Sequence, residues 1–277
     1  MKFAFSSNAF RNYSLEACAG AISRAGFRGI EIMCDIPHAW PNDLSEDRID
    51  SIKQMLCAKD LTISNLNAFM MCAIKDFHHP SWIEKDKSFR ELRIEYTRQC
   101  IDLAARLGVA TISTEPGGPP NGLDRSNAIE IFMEGLARVA PYAFEKGVTV
   151  LIEPEPGLLI ENSEQFLDFI TKFNQPGLGL NFDVGHFYCV GEDPVKAIKL
   201  LKKYIYHFHL EDIPLSREHQ HILLGKGGID ITGVLEQIKS IDYQGFITIE
   251  LYPYQDTAVQ TAILANNFLR ENGYNQN

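Results

Sequence analysis

Thr149-Val-Leu-Ile-Glu153 sets the reading of the whole chain. It is β-branched and apolar, too short for a helix, and ends on a carboxylate, so it reads as a buried strand carrying Glu153 at its tip. Downstream, Leu178-Gly-Leu-Asn-Phe-Asp183, Ile205-Tyr-His-Phe-His209-Leu210 and Phe246-Ile-Thr-Ile-Glu250 repeat the form. Upstream, comparable runs at 3–7, 29–34, 61–67 and 110–115 bring the number to eight. Between them the period changes to that of helices. Phe89, Leu92, Tyr96, Cys100, Leu103 and Leu107 fall three or four apart and stop at Gly108, a residue that closes helices in the left-handed conformation. Ser14 and Ser163 stand where N-caps of two further helices are expected. Strand then helix, eight times over, is the grammar of a (β/α)8 barrel, which typically needs roughly 250 residues. The fold class expected is α/β, a single TIM barrel over residues 1–277, since no linker or composition shift marks a second domain.

The 277 residues are 45% hydrophobic and 22% charged, enough apolar content to fill a large core. With 26 Lys+Arg against 36 Asp+Glu the formal charge is −10, which argues against a protein that tracks phosphate backbones. Six cysteines lie at irregular spacings without a CxxC pair, the usage of buried thiols in a reducing compartment. The N-terminus lacks the apolar core of a signal peptide, and no run of roughly 18 apolar residues occurs, so a cytoplasmic protein with no membrane partner is expected. Two long irregular pieces, 70–85 and 116–124, follow candidate strands and belong on the catalytic face of a barrel.

Side chains two apart on a strand share a face. One face of each late strand therefore reads Thr149, Leu151, Glu153; Gly179, Asn181, Asp183; Ile205, His207, His209; and Phe246, Thr248, Glu250. The opposite faces are apolar, as helix-covered faces must be. Two carboxylates about 4 Å apart repel by about 4 kcal/mol at an effective dielectric near 20, so Glu153, Asp183 and Glu250 need a positive neighbour. No lysine ends any candidate strand, which also argues against Schiff-base chemistry. One divalent cation held by Glu153, Asp183, Glu250 and His209 solves the problem. The oxygen-rich set favours Mn²⁺ or Mg²⁺, and the imidazole admits Co²⁺ or Zn²⁺. Glu31 and Glu115 end earlier strands and read as solvated residues or as supports behind the ligands. Glu115 is kept as a candidate substrate contact. His207 reads as a hydrogen-bonded core histidine and His78 and His79 as surface loop residues, while Trp40, Trp82 and Phe10 are either packing or pocket wall.

These motifs resemble the xylose isomerase-like TIM-barrel superfamily, which contains sugar isomerases, D-tagatose 3-epimerase-like enzymes and endonuclease IV relatives. The resemblance rests on Leu-Ile-Glu153-Pro, Asn-Phe-Asp183-Val-Gly-His186, His207-Phe-His209-Leu-Glu-Asp212, Ile-Thr-Ile-Glu250, Gly26-Phe-Arg-Gly-Ile-Glu31 and the segment from His219 to Asp230. It implies the same four ligands, a substrate contact from His186, and another from Arg217 or His221. It further implies that Glu153 and Glu250 act as base and acid on a carbon next to a carbonyl, through an enediolate. The substrate implied is a small keto sugar, sugar acid or cyclitol, in a protein of open oligomeric state. A dehydratase of the inosose or dehydroshikimate type would use the same groups, and a non-catalytic binding barrel is the remaining reading. Where epimerases carry a further substrate-binding glutamate, this chain offers Glu155 or nothing. Endonuclease IV relatives need extra histidines for a three-zinc cluster, and here the region holds Asn65, Asn67 and Glu115, which with the acidic balance argues against a nuclease. Gly225-Lys226-Gly227-Gly228 reads either as a phosphate-binding turn or as a plain tight turn.

Overall fold

In the computed structural model, which describes residues 1–274, eight strands close into one parallel barrel in sequence order. They are β1 (Lys2–Ser6), β2 (Gly29–Met33), β3 (Thr62–Asn67), β4 (Thr111–Thr114), β5 (Thr149–Ile152), β6 (Leu178–Asp183), β7 (Ile205–Leu210) and β8 (Phe246–Ile249). Pairing of β1 with β8 closes the cylinder, with Phe5 opposite Ile249. Helices cover the outside. The outward set Val150, Ile152, Leu180, Phe182, Phe208, Ile247 and Ile249 is fully buried against them. Among the described residues no helix is long and apolar enough to cross a membrane.

The local signals act as expected with a few displacements. Gly108 closes the helix Lys87–Leu107 at φ 73°, and Ser14 accepts from Ala17 N as an N-cap. Asn162, one residue before the serine expected there, caps the helix Ser163–Lys172. Phe89 and Leu92, the first two residues of the apolar stripe, are exposed, and the buried face of the helix starts at Arg93. Cys18, Cys34 and Cys100 are buried, but Cys57 is exposed and Cys72 and Cys189 are half-buried, so the expectation of buried thiols holds in part.

Two register shifts alter which side chains face inward. In β3 the shift beside Ile30/Glu31 sets Asn65 opposite Glu31 and leaves Ser64 over. Ser64 Oγ then reaches Thr248 Oγ1 at 3.0 Å across the barrel, while Asn65 Nδ2 donates to Glu31 Oε2 at 2.9 Å. In β7 the shift puts Ile205 opposite Leu180, an outward residue, and lays the Tyr206 ring where a Gly179 side chain would be. The first two residues of β7 therefore swap the faces that simple alternation gives them. From His207 onward the alternation is restored, with Asn181 opposite His207 and Asp183 opposite His209.

Candidate active site

The end of β6 shows how the chain aims a functional side chain. Asp183 caps the short helix Val184–Cys189, its Oδ1 accepting from His186 N at 2.8 Å, which leaves Oδ2 facing the barrel axis without a hydrogen-bond partner. Gly185 is required beside it. A side chain there would meet Glu211 Oε1 at 2.2 Å, and the Gly185 amide donates to that oxygen at 2.6 Å. His186 follows on the helix, its Nδ1–H donating to Pro154 O at 2.9 Å, and its ring lines a cavity of about 620 Å³ at the strand C-termini.

Glu153 and Glu250 line this cavity, and Asp183 and His209 lie against them. One ligand-type atom from each lies within 4.8 Å of all the others. His209 Nδ1 stands 2.8 Å from Glu153 Oε1, 3.4 Å from Glu250 Oε1 and 3.8 Å from Asp183 Oδ2. Burial opposes protonation of this imidazole, yet the surrounding carboxylates of Glu250, Glu31 and Glu153 hold its pKa well above the usual range. Burial raises the carboxyls of Glu153 and Glu250, the latter far above the ordinary range. Glu153 Oε2 and Asp183 Oδ2 are buried acceptors with no donor. A donor set of three carboxylates and one imidazole, two of its oxygens unpaired, fits a divalent cation in charge, size and ligand type.

The other strands hold this cluster in place. Glu31, fully buried, accepts from His209 Nε2 at 2.8 Å, from Ser6 Oγ at 2.7 Å and from Asn65, and His207 Nε2 lies 3.4 Å away. Although burial works the other way, the two imidazoles keep the Glu31 carboxyl well below its ordinary pKa. A carboxylate on the far nitrogen of a ligating imidazole fixes its tautomer and raises its basicity. Glu31 thus sits behind the four clustered residues, where the second of its two sequence readings put it. Asn8, in the turn Ser7–Phe10, donates Nδ2–H to Glu250 Oε1 at 2.8 Å, with Asn67 Nδ2 at 3.4 Å. Sequence reasoning missed Asn8 because a single turn after a strand carries no periodicity. It also passed over Glu211, which burial and then Asp183 push well above the carboxylate range.

Three expected substrate contacts are not on the cavity wall. Glu115 is wholly buried behind the loop that follows β3, accepting from Trp82 N at 3.1 Å with Arg93 Nη2 at 3.6 Å, and burial lifts its pKa to about 7. Arg217 is exposed, folded over the Tyr188 ring at 4.2 Å with Nη1 donating to Tyr188 O. His221 lies behind Glu250, its Nδ1–H donating to Glu250 O at 3.0 Å, and burial lowers its pKa to about 3. His78 and His79, expected on the surface, instead line the cavity with Asp76 and Phe77. The loop bearing them is fixed at its feet. Arg93 donates to Pro80 O and Phe69 O, both at 2.8 Å, Tyr96 Oη donates to Cys34 O and Met70 O, and Asp35 accepts from the amides of Cys72 and Ala73. Trp82, Trp40 and Phe10 are packing residues: Trp82 is buried against Phe132, Trp40 stacks on Tyr96 and Phe10 meets Phe5 edge-on.

In the glycine-rich turn after β7 the amides of Lys226, Gly227, Gly228 and Ile229 are already used. Gly227 N and Ile229 N donate to the Asp212 carboxylate at 2.7 and 3.1 Å, Gly228 N to Ile213 O and Lys226 N to Leu223 O. It is a tight turn organised by Asp212.

A family model described as a xylose isomerase-like TIM barrel matches residues 19–271. An inosose dehydratase of Geobacillus thermodenitrificans is 23% identical over 279 residues, covering 93% of this chain and 89% of that protein. Among solved structures, a D-tagatose 3-epimerase-like protein superposes with a TM-score of 0.83 at 24% identity, covering 98% of this chain and 96% of that one. The IolI protein with a bound zinc atom gives 0.77 at 18% identity, covering 98% and 97%. At these identities the two structures speak for the fold.

Proposed function

The chain belongs to the xylose isomerase-like TIM-barrel family, and from that premise we propose that residues 1–277 form one domain acting as a divalent-metal-dependent isomerase or epimerase on a small carbohydrate-like substrate. One observation carries the reading: two buried carboxylates of raised pKa, Glu153 and Glu250, converge with Asp183 and His209 on one point. These four residues would hold the ion, and a relative of the same fold was solved with bound zinc. Bound there, the ion supplies Lewis-acid polarisation of a substrate carbonyl and balances the carboxylate charge.

The protein's own groups account for the proton transfers. One glutamate takes the proton from the carbon next to the carbonyl, and the electron pair of the broken C–H bond moves onto the carbonyl oxygen, leaving an enediolate. The other glutamate, in acid form, returns a proton, to the opposite face for an epimer or to the neighbouring carbon for an isomer, where the hydroxyl proton also passes to the oxygen of the former carbonyl. Burial raises both carboxyls above the ordinary carboxylate range, the direction that acid–base work at a carbon acid calls for. Asn8 and Asn67 hold Glu250 Oε1, so that carboxyl is oriented before substrate arrives. His186, lining the cavity from the β6 end, is placed to contact a substrate hydroxyl.

A dehydratase reading is favoured by the relative named for inosose dehydration. The same carbanion would then expel a β-hydroxyl. Solvent deuterium tests both readings: protein reconstituted with Mn²⁺, then with Co²⁺ and Zn²⁺, is expected to incorporate deuterium into a ketose or inosose, whereas chelated protein incorporates none. Conserved product mass marks the isomerase or epimerase. Loss of water marks the lyase, and exchange unaffected by chelation would overturn the metal-dependent proposal.

A further inference from the structure

We infer that Arg11 is a positioning residue: it latches the tip of the β3 loop over the cavity and so keeps Phe77 and His78 on the wall, while Arg11 itself stays off that wall. The inference rests on the functional reading above only for the substrate whose affinity the latch sets.

The loop over residues 69–84 has pinned feet and a tip with few ties. Arg93, Tyr96 and Asp35 hold the feet at Phe69, Met70, Cys72, Ala73 and Pro80. Between them residues 73–77 are exposed, although Asp76, Phe77, His78 and His79 all line the cavity. Hydrogen bonding at the tip is internal. Asp76 Oδ1 accepts from His78 N and His79 N at 3.1 and 2.9 Å, Asp76 N donates to His79 O, the amides of Ile74 and Lys75 donate to Met71 O, and His79 Nδ1 pairs with Glu84. Among the described residues no hydrogen bond of residues 74–79 leaves the loop. The contact that ties the tip to another loop is the Arg11 guanidinium, 4.7 Å over the Phe77 ring.

Arg11 stands on a firm base. It follows the turn Ser7–Phe10, whose Asn8 grips Glu250. Phe10 O accepts from Tyr13 N at 2.9 Å and from His38 Nε2 at 3.1 Å, and the Phe10 ring packs on Phe5 and Tyr13. Arg11 Nη2 and Nε donate to the Gln255 amide, turned to accept, in the turn after β8. A planar cation held by its edge offers its face to an aromatic ring. The loops after β1, β3 and β8 are thereby joined at the cavity mouth. A wall segment fixed before the ligand arrives spares the cost of ordering it on binding, so the latch acts on KM.

The test reads the latch and its consequence separately on the metal-loaded protein. Trypsin can cut after Lys75 in the tip and after Lys85 beyond the pinned foot, both exposed. Arg11→Ala and Phe77→Ala should each speed cutting after Lys75 by about three- to fivefold, the size of a partly exposed cation–π contact, and leave cutting after Lys85 unchanged. The double variant should be cut no faster than either single one, because both remove the same contact. Arg11→Lys, which keeps a charge for the ring, should fall between. In deuterium exchange with a ketohexose or inosose, both single variants should raise KM by about the same factor and leave kcat within about twofold. Unchanged cutting after Lys75, or equal acceleration after Lys85, overturns the latch. Faster cutting with KM unchanged, or a fall in kcat with KM held, overturns its part in substrate binding. Should the wild-type protein exchange no compound, the proton-transfer reading fails, and the cutting rates alone decide whether Arg11 holds the tip.

Discussion

The two halves of the barrel use one backbone pattern for different chemistry. β5 to β8 end in Glu153, Asp183, His209 and Glu250, all aimed at one point. β1 to β4 contribute Ser6, Asn65, Asn67 and Ser113 to the interior, and the buried carboxylates Glu31 and Glu115 take other work. Glu31 sits beneath the cluster on His209, and Glu115 sits behind the β3 loop with Arg93. One half concentrates charge and the other fixes its geometry. The difference shows that a carboxylate at a strand end is not thereby a ligand: what lies across the barrel from it, or above it, decides.

The largest expected effect comes from the charge-bearing half. Glu250→Gln should lower the deuterium-exchange rate by about two to four orders of magnitude, the usual scale for an acid–base group. Near-normal exchange would remove Glu250 from the chemistry and erase the proposed division. Next comes the buried acid of the other half. Because burial raises the Glu115 pKa to about 7, the folded chain binds this proton more tightly than the unfolded one. Its contribution is fully present below about pH 4.5 and is lost as pH rises through about 7, a change of up to about 3 kcal/mol. Denaturant unfolding of the protein and of Glu115→Gln across this range should show a pH slope in the difference between them. Parallel curves would mean that Glu115 titrates as it does in the unfolded chain.

Glu31→Gln tests whether the supporting half matters to metal binding. Weakening the carboxylate on His209 Nε2 should reduce metal affinity by about 10- to 100-fold in a chelator competition, with exchange largely restored at saturating metal. Unchanged affinity would make the halves independent. The smallest effect is expected at Arg217, which lies outside both. Arg217→Ala should leave KM within about twofold, as is usual for an exposed residue away from the site. A large rise in KM would bring the β7 loop back into substrate binding.

Strand number, barrel class and the four clustered residues were legible in the chain because side-chain alternation has a period of two and each late strand ends on a ligand-type residue. Alternation failed at Ile205 and Tyr206, where a register shift inverts the pattern. Family pattern pointed to Arg217 and His221, neither of which lines the cavity. The reach of a loop arginine depends on the ring it settles against, and His221 is committed to the Glu250 backbone. His78 and His79 looked like surface residues because nothing local records that Arg93, Tyr96 and Asp35, brought from elsewhere in the chain, pin the feet of their loop.

Away from the register shifts in β3 and β7, sequence alone determined which residues could face the axis, since strand geometry is local. Tertiary structure decided which of them meet. Closure of β8 onto β1 carries Asn8 to Glu250, and the shift beside Glu31 sets Asn65 against that carboxylate, with His209 reaching it from the opposite side of the barrel. These contacts join residues up to 242 positions apart. Their free energy comes from burying polar groups together in a medium of low dielectric, a term that no local stretch of chain contains.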